Sequence, residues 1–236
     1  MENKTIAEVK EAAARTAVDT LVKNGMKLGL GTGSTAVFAI RRVAELLQQG
    51  KLEGIRVFAT SFQSEIECEK YNIPVYSLNS RELSGSLDLT IDGADEVDPQ
   101  SRLIKGGGGA LLSEKIAAYC SAAYAIIIDE SKIAETLGTV FPVPVEIIPQ
   151  ARVTAGMALE EIGAVISLRE GVKKAGPVIT EHGNIILDIR FASSVDPVEM
   201  EREINQIPGV VENGFFTRIR PTVFIGYSDG TVIERT

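Results

Sequence analysis

The chain has 236 residues, 44% of them hydrophobic and 24% charged, with 22 Gly and no Trp, a composition that excludes disorder, collagen and a disulfide scaffold. A chain of that length forms one large domain or two small ones, each with a self-sufficient core. Lys and Arg total 24 against 32 Asp and Glu, a formal charge of −8, so binding to nucleic acid or an anionic bilayer has no support, and any anion site must be locally positive.

Ile6, Val9, Ala13, Ala17 and Leu21 recur at helical spacing over Ile6 to Lys23, and the short apolar run Met26 to Leu30 then leads into Gly31-Thr-Gly-Ser-Thr35. This predicts helix, strand and glycine loop. Val37, Ile40, Val43, Ala44 and Leu47 carry a second helix from Ala36 to Gly50, Ile55 to Ala59 is a buried-type strand, and a helix runs from Thr60 to Tyr71. Pro74 to Leu78 and Leu87 to Ile91 are expected strands, Gly109 to Tyr119 a helix, and Ala123 to Ile128 a strand buried on both faces. Alternating strand and helix predicts a Rossmann-like parallel sheet with helices on both faces.

The rhythm changes after residue 140. Strand-like Val143 to Ile148, Ala164 to Leu168, Ile185 to Phe191 and Val210 to Phe215 alternate with helix-like Pro149 to Ile162 and Pro197 to Ile207 in the order βαββαβ. That order predicts an inserted ferredoxin-like α+β domain over 141–215. Thr222 to Ile233, with Asp229-Gly230 between two apolar runs, reads as a β-hairpin returning to the larger α/β domain, 1–140 and 216–236, which is expected to carry the chemistry.

Three segments carry chemical potential. At Gly29-Leu-Gly-Thr-Gly-Ser-Thr35, backbone amides, hydroxyls and a helix's positive end converge as a phosphate would require, although a tight turn with Ser34 or Thr35 as N-cap explains the same residues. Gly31, Gly33 and Ala36 also satisfy a dinucleotide pattern, but the ribose-binding acid it needs would fall near Ala59 or Thr60, and neither is acidic. A P-loop would need a Lys where Gly33 stands.

Asp92-Gly-Ala-Asp-Glu-Val-Asp98 follows an apolar strand, which places Asp92, Gly93, Ala94 and Asp95 where open α/β sheets bind ligands. A solvated acidic turn is the plainer reading, and the spacing does not fit an EF-hand. In Leu103-Ile-Lys-Gly-Gly-Gly-Gly-Ala-Leu-Leu-Ser-Glu114, four consecutive glycines cost backbone entropy and lie between apolar residues, unlike a linker. Lys105 then stands at the mouth of an amide-rich helix end, and Glu114, one turn inside, is placed to act as a general base. These groups suit proton transfer beside a carbonyl, the chemistry of sugar-phosphate isomerisation. The single His182 has no neighbours for a zinc site and reads as a turn residue.

These motifs resemble the type A ribose-5-phosphate isomerase family: Gly31 to Thr35, Thr60-Ser-Phe-Gln63, Asp92 to Asp98, Lys105 to Glu114 and Asp129-Glu-Ser-Lys132 occur in its order over nearly the whole chain. The resemblance implies reversible conversion of ribose 5-phosphate and ribulose 5-phosphate in the non-oxidative pentose phosphate pathway, without metal or cofactor, by a homodimer or higher oligomer. It makes Glu114 the base that shuttles a proton between C1 and C2. Asp92 would serve ring opening and hydroxyl proton transfer, Lys105 with the Gly106, Gly107 and Gly108 amides the developing oxyanion, and Asp95 the substrate hydroxyls. Thr32, Gly33, Ser34, Thr35, Gly93, Ala94 and Lys132 match substrate-binding positions. Lys10 joins them from a helix that no motif marks. Ser64 stands where the family often has Thr.

A sugar-phosphate sensor on the same fold is the alternative. It is disfavoured because no helix-turn-helix segment precedes the first helix and the set Asp92, Lys105 and Glu114 exceeds what sensing needs. An isomerase-deaminase or CoA transferase would need a catalytic His or a CoA-linked glutamate in its own motif, and neither is found. Cys68 and Cys120 form no CxxC pair, the first residues lack the apolar core of a signal peptide, and the longest nearly apolar stretch, Ala117 to Ile128, is far short of the roughly 20 residues of a membrane span. A cytoplasmic enzyme is expected.

Overall fold

A computed structural model describes residues 4–236. Met1 to Asn3, the start of the charged N-terminal segment and of the expected first domain, lie outside the described residues. By internal contacts the chain divides into two units: the first is Met1–Ala94, Ser113–Lys132 and Ile219–Thr236, the second Asp95–Leu112 and Ile133–Arg218.

In chain order, the first unit begins with α1 (Ile6–Leu21), β1 (Lys27–Leu30), α2 (Ala36–Gln48), β2 (Arg56–Ala59), α3 (Phe62–Lys70) and β3 (Leu87–Asp92). The two-residue strands β4 (Glu96–Val97) and β5 (Leu103–Ile104) follow in the second unit, and α4 (Leu111–Tyr119) leads back to the first with β6 (Ser121–Asp129). The second unit resumes with β7 (Val143–Ile147), α5 (Arg152–Glu161), β8 (Ala164–Leu168), β9 (Ile185–Phe191), α6 (Pro197–Ile204), β10 (Val210–Asn213) and β11 (Phe215–Phe216). Finally β12 (Thr222–Gly226) and β13 (Val232–Arg235) rejoin the first.

The first unit is built on a six-stranded sheet of order β13-β12-β6-β3-β1-β2, in which β13 alone runs antiparallel to its neighbour. Leu28, Leu30, Val57, Leu89, Ile91, Ala125 and Ile127 point to one face and are covered by Ala13, Ala17 and Val18 of α1 and Ala39, Ile40 and Val43 of α2. On the other face the Thr90 hydroxyl reaches the Ala117 carbonyl of α4 at 3.3 Å. Helices on both faces explain why these strands are nearly continuous apolar runs. β1 lies between β2 and β3, so chain order reverses there, and the carboxyl ends of strands around such a reversal are where α/β sheets bind ligands. The register Leu30↔Ala59 and Leu30↔Ile91 brings Gly31, Thr60 and Asp92 to that edge side by side.

In the second unit β7, β9, β8 and β10 form an antiparallel sheet of order β10-β7-β9-β8, the ferredoxin-like arrangement. Val145, Ile147, Leu187 and Ile189 of the sheet and Ala155, Leu159 and Ile204 of the helices share one core. A separate three-stranded sheet of order β11-β5-β4 extends this unit beyond 141–215.

Two expected strands differ. Pro74 to Leu78 makes a single bridge, Val57 to Val75, and no strand. Pro74 has no N–H to donate, and the chain turns at once, the Ser80 N–H donating to the Ser77 carbonyl at 2.9 Å. Val210 to Phe215 is not one strand but β10 and β11, broken at Gly214. A Cβ there would lie 2.5 Å from the Lys105 carbonyl oxygen and 2.5 Å from Pro144 Cδ, so only glycine lets β11 turn from one sheet to the other. The Asp229-Gly230 hairpin forms as expected, with Gly230 at φ +92°. No helix among the described residues is long and apolar enough to cross a membrane.

Candidate active site

In the first unit the site is assembled around Asp92, the last residue of β3, which is fully buried. Its Oδ1 accepts the Thr32 N–H at 3.1 Å and the Gly93 N–H at 2.7 Å, so the carboxylate ties its own loop to the loop after β1. Such a close approach requires Gly31, because a Cβ there would fall inside the Asp92 carboxyl group. The Thr32 hydroxyl lies 2.8 Å from that of Thr60 and donates to Ser61 Oγ at 2.7 Å, while Ser64 Oγ donates to the Gly31 carbonyl at 2.5 Å. Thr60, Ser61 and Ser64 are buried, so this hydroxyl network is an internal brace.

The rest of the loop is turned outward. Gly33 adopts φ +103° with open space at its Cβ position, and its N–H donates to Gln63 Oε1 at 3.1 Å. Thr35 precedes α2 but makes no side-chain cap, so its hydroxyl does not do the work that the N-cap reading assigns to it. Lys10 is brought here by α1: the Thr5 hydroxyl accepts the Glu8 N–H and the Glu8 carboxylate accepts the Thr5 N–H at 2.8 Å, a capping box that fixes the first turn. Lys10 Nζ then donates to Ser34 Oγ at 3.0 Å. Gly93 packs beside Thr35, whose Cβ would be 3.8 Å from a Cβ at Gly93.

Glu114 lies in the first turn of α4 and is 4% exposed. It shares a neighbour with Asp92 that the sequence reading missed. Tyr124, buried on β6, has its phenol pushed well above its ordinary range, first by burial and then by the charges of Asp92 and Glu114. Among the described residues its hydroxyl has no hydrogen-bond partner. Lys132 closes the segment after β6, where Asp129 Oδ1 accepts the Ser131 N–H at 3.0 Å and Glu130 Oε1 accepts the Ser228 N–H at 3.0 Å. Lys10, and not Lys132, makes the lysine hydrogen bond to the Thr32–Thr35 loop among the described residues.

In the second unit Asp95, Lys105 and the glycines form one small assembly. The Lys105 N–H donates to the Gly214 carbonyl at 3.0 Å, and its buried ammonium lies 5.7 Å from the Phe216 ring centroid, a cation–π distance. Asp95 Oδ2 accepts the Gly107 N–H at 2.8 Å. Gly106, at φ +101°, also packs where a Cβ would lie 2.8 Å from Leu111 Cβ. Gly108 follows in the exposed part of the same loop. Arg169, absent from the sequence reading, donates from Nη1 to the carbonyls of Gly106 at 2.8 Å and Gly107 at 3.1 Å.

The four acids of the 92–98 segment therefore have separate duties. Glu96 is buried and accepts the N–H groups of Gly138 at 2.7 Å, Val140 at 3.2 Å and Phe141 at 2.6 Å, while Asp98 accepts those of Gln100 at 2.9 Å and Arg102 at 2.8 Å. Both hold turns. Among the described residues no group of acids, His or Cys could hold a metal ion. Cys68 is buried, its thiol pushed up to about 12 chiefly by that burial, which suits an inert core thiol. His182 lies on an exposed turn.

A family profile described as "Ribose 5-phosphate isomerase A (phosphoriboisomerase A)" matches residues 56–230. The chain belongs to this family. The ribose-5-phosphate isomerase A of Treponema denticola is 53% identical over 233 residues, covering 96% of this chain and 98% of its own. That of Treponema pallidum is 50% identical over 234 residues, covering 96% and 92%. Among solved structures, a D-ribose-5-phosphate isomerase in complex with phospho-erythronic acid superposes with a TM-score of 0.92 at 40% identity, covering 98% of this chain and all of the other. The ribose 5-phosphate isomerase A of Methanocaldococcus jannaschii gives 0.90 at 41% identity, again covering 98% of this chain and all of the other. The family's members are isomerases of aldose and ketose phosphates, and this chain is one of them.

Proposed function

We propose that the chain interconverts D-ribose 5-phosphate and D-ribulose 5-phosphate through an enediolate, as a cytoplasmic homodimer or higher oligomer serving the non-oxidative pentose phosphate pathway. Its partner is a small sugar phosphate, with neither nucleic acid nor a membrane involved. The observation that carries this reading is the match, over nearly the full length, to an isomerase bound to phospho-erythronic acid. That ligand is a phosphorylated four-carbon acid whose planar, negative carboxylate imitates an enediolate.

In this reading Asp92 assists opening of the sugar ring and moves hydroxyl protons. Glu114 removes the proton from C2 of the open-chain aldose, the electron pair forms the C1–C2 double bond, and the carbonyl oxygen takes up negative charge. Lys105 and the Gly106 to Gly108 amides stabilise that charge, Asp95 orients the hydroxyls while bracing Gly107, and Glu114 returns the proton to C1. Ser34, Thr35, Lys10 and Lys132 hold the phosphate, in a loop shaped by Thr32 and Gly33 with Gly93 and Ala94 beside it. Gln63 stands on the Gly33 N–H, where a phosphate oxygen would be expected, so binding displaces an exposed side chain at small cost.

The test is the conversion of ribose 5-phosphate by purified protein in EDTA, with Glu114→Gln as control. The substitution keeps shape and removes basicity, so kcat is expected to fall by about 10²- to 10⁴-fold in a folded protein. Wild-type turnover in the folded variant would remove Glu114 from the base role. Ligand-dependent thermal stabilisation without turnover in the wild type would support the sensor instead.

A further inference from the structure

We infer that Arg169 is a positioning residue for the oxyanion: it aims and polarises the peptide N–H of Gly108 from behind. The inference rests on the reading above, in which the glycine-loop amides stabilise the enediolate.

Arg169 follows β8, and Asp188 lies on the neighbouring strand β9. The two form a forked pair, with Nε on Asp188 Oδ2 at 2.8 Å and Nη2 on Asp188 Oδ1. Their side chains are only 14% and 16% exposed, which is more burial than a pair serving solubility needs. Nη1, the remaining corner of the guanidinium, is spent on two carbonyls of one loop, Gly106 and Gly107.

Those carbonyls belong to peptides whose other ends matter. No cis peptide occurs among the described residues, so each C=O points opposite to the N–H of the following residue. The Gly106–Gly107 peptide is held at both ends, its oxygen on Arg169 and its N–H on Asp95. Among the described residues the Gly107–Gly108 peptide is held by its oxygen alone, so Arg169 directs the Gly108 N–H away from the guanidinium, toward the exposed side of the loop. A cation on the oxygen also draws electron density from the amide, which makes its N–H a stronger donor. Four glycines have no side chains to fix their peptide planes, and an external clamp supplies what the loop lacks.

A donor that counts only when negative charge develops lowers the barrier without tightening substrate binding. Arg169→Met is therefore expected to lower kcat by about tenfold or more while KM stays within about twofold, since loss of a whole oxyanion donor costs about 10²- to 10³-fold. Arg169→Lys, which keeps the charge but not the fork, is expected to recover part of the loss. A folded Arg169→Met protein with wild-type kcat, or one whose loss lies mainly in KM, would overturn the inference. Should Arg169→Met not fold, Asp188→Asn decides: the guanidinium stays but its aim relaxes, and kcat should fall severalfold at constant KM, whereas unchanged kcat refutes the role. An inactive wild type would instead defeat the isomerase reading itself, and an active Glu114→Gln would remove only Glu114 from the base role.

Discussion

At the loop after β1 the backbone is fixed by hydroxyls and a carboxylate: Thr60, Ser61 and Ser64 fasten Thr32 and Gly31, and Asp92 takes two N–H groups. At the loop after β5 the fastening is ionic, with Arg169 on two carbonyls and Asp95 on one N–H. The first arrangement turns the loop's inner half into core and leaves Gly33 to Thr35 outside. The second grips a run of glycines of which Gly106 is buried and Gly107 and Gly108 are exposed. Glycine is required in both, for different reasons. Gly31 is needed to let a buried carboxylate close in, Gly33 for its φ of +103° alone, and Gly107 for side chains resting on it.

The contrast can be broken with single methyl groups. Gly31→Ala should have the largest effect after loss of the base, because its methyl overlaps a buried carboxyl that two N–H groups hold in place. The expected outcome is destabilisation by about 3 kcal/mol or more with loss of turnover, read by thermal melting and assay. Gly107→Ala should be milder. The methyl would lie 2.7 Å from Asp95 Oδ1 and 2.9 Å from the Phe141 ring, ends of side chains that can shift, so the fold survives and kcat falls. Equal melting losses at both positions would show that the two loops are held alike.

Lys132→Ala should raise KM severalfold with little change in kcat, as expected of a cation on the non-reacting phosphate; a loss confined to kcat would contradict that placement. The smallest effect belongs to Tyr124→Phe, which removes a buried hydroxyl without a partner among the described residues and should leave stability unchanged or raise it by about 1 kcal/mol. The folded phenol's raised pKa means that wild-type stability is whole below pH 10 and falls above it, as the unfolded chain ionises. The variant should lose that alkaline decline, and urea melts at pH 8 and pH 11 would show it.

Much of this was legible in the sequence because it is periodic or local. The helix-strand alternation, the βαββαβ order and the positions of Asp92 and Thr32 at strand ends follow from spacing, and the glycine runs betray close backbone approach. The missing parts are long-range. Arg169, just after β8, and Asp188, on β9, sit 19 residues apart at positions that read in the sequence as solvated charges, and nothing near either points to residues 106 and 107. Tyr124 hides in an apolar run, where an aromatic is ordinary. Val210 to Phe215 has the composition of one strand, and only the proximity of Pro144 and Lys105 reveals why Gly214 divides it. In the acidic segment, sequence shows four charges without showing that Glu96 and Asp98 are spent on turns.

Lys10 stands on the second turn of α1, within reach of Ser34 only while the turn before it is wound, and that turn is kept by the reciprocal bonds of Thr5 and Glu8. Helix ends fray far below the temperature at which a domain melts. Warming therefore withdraws this cation early, and substrate affinity should decline over a range where the rest of the molecule is still intact.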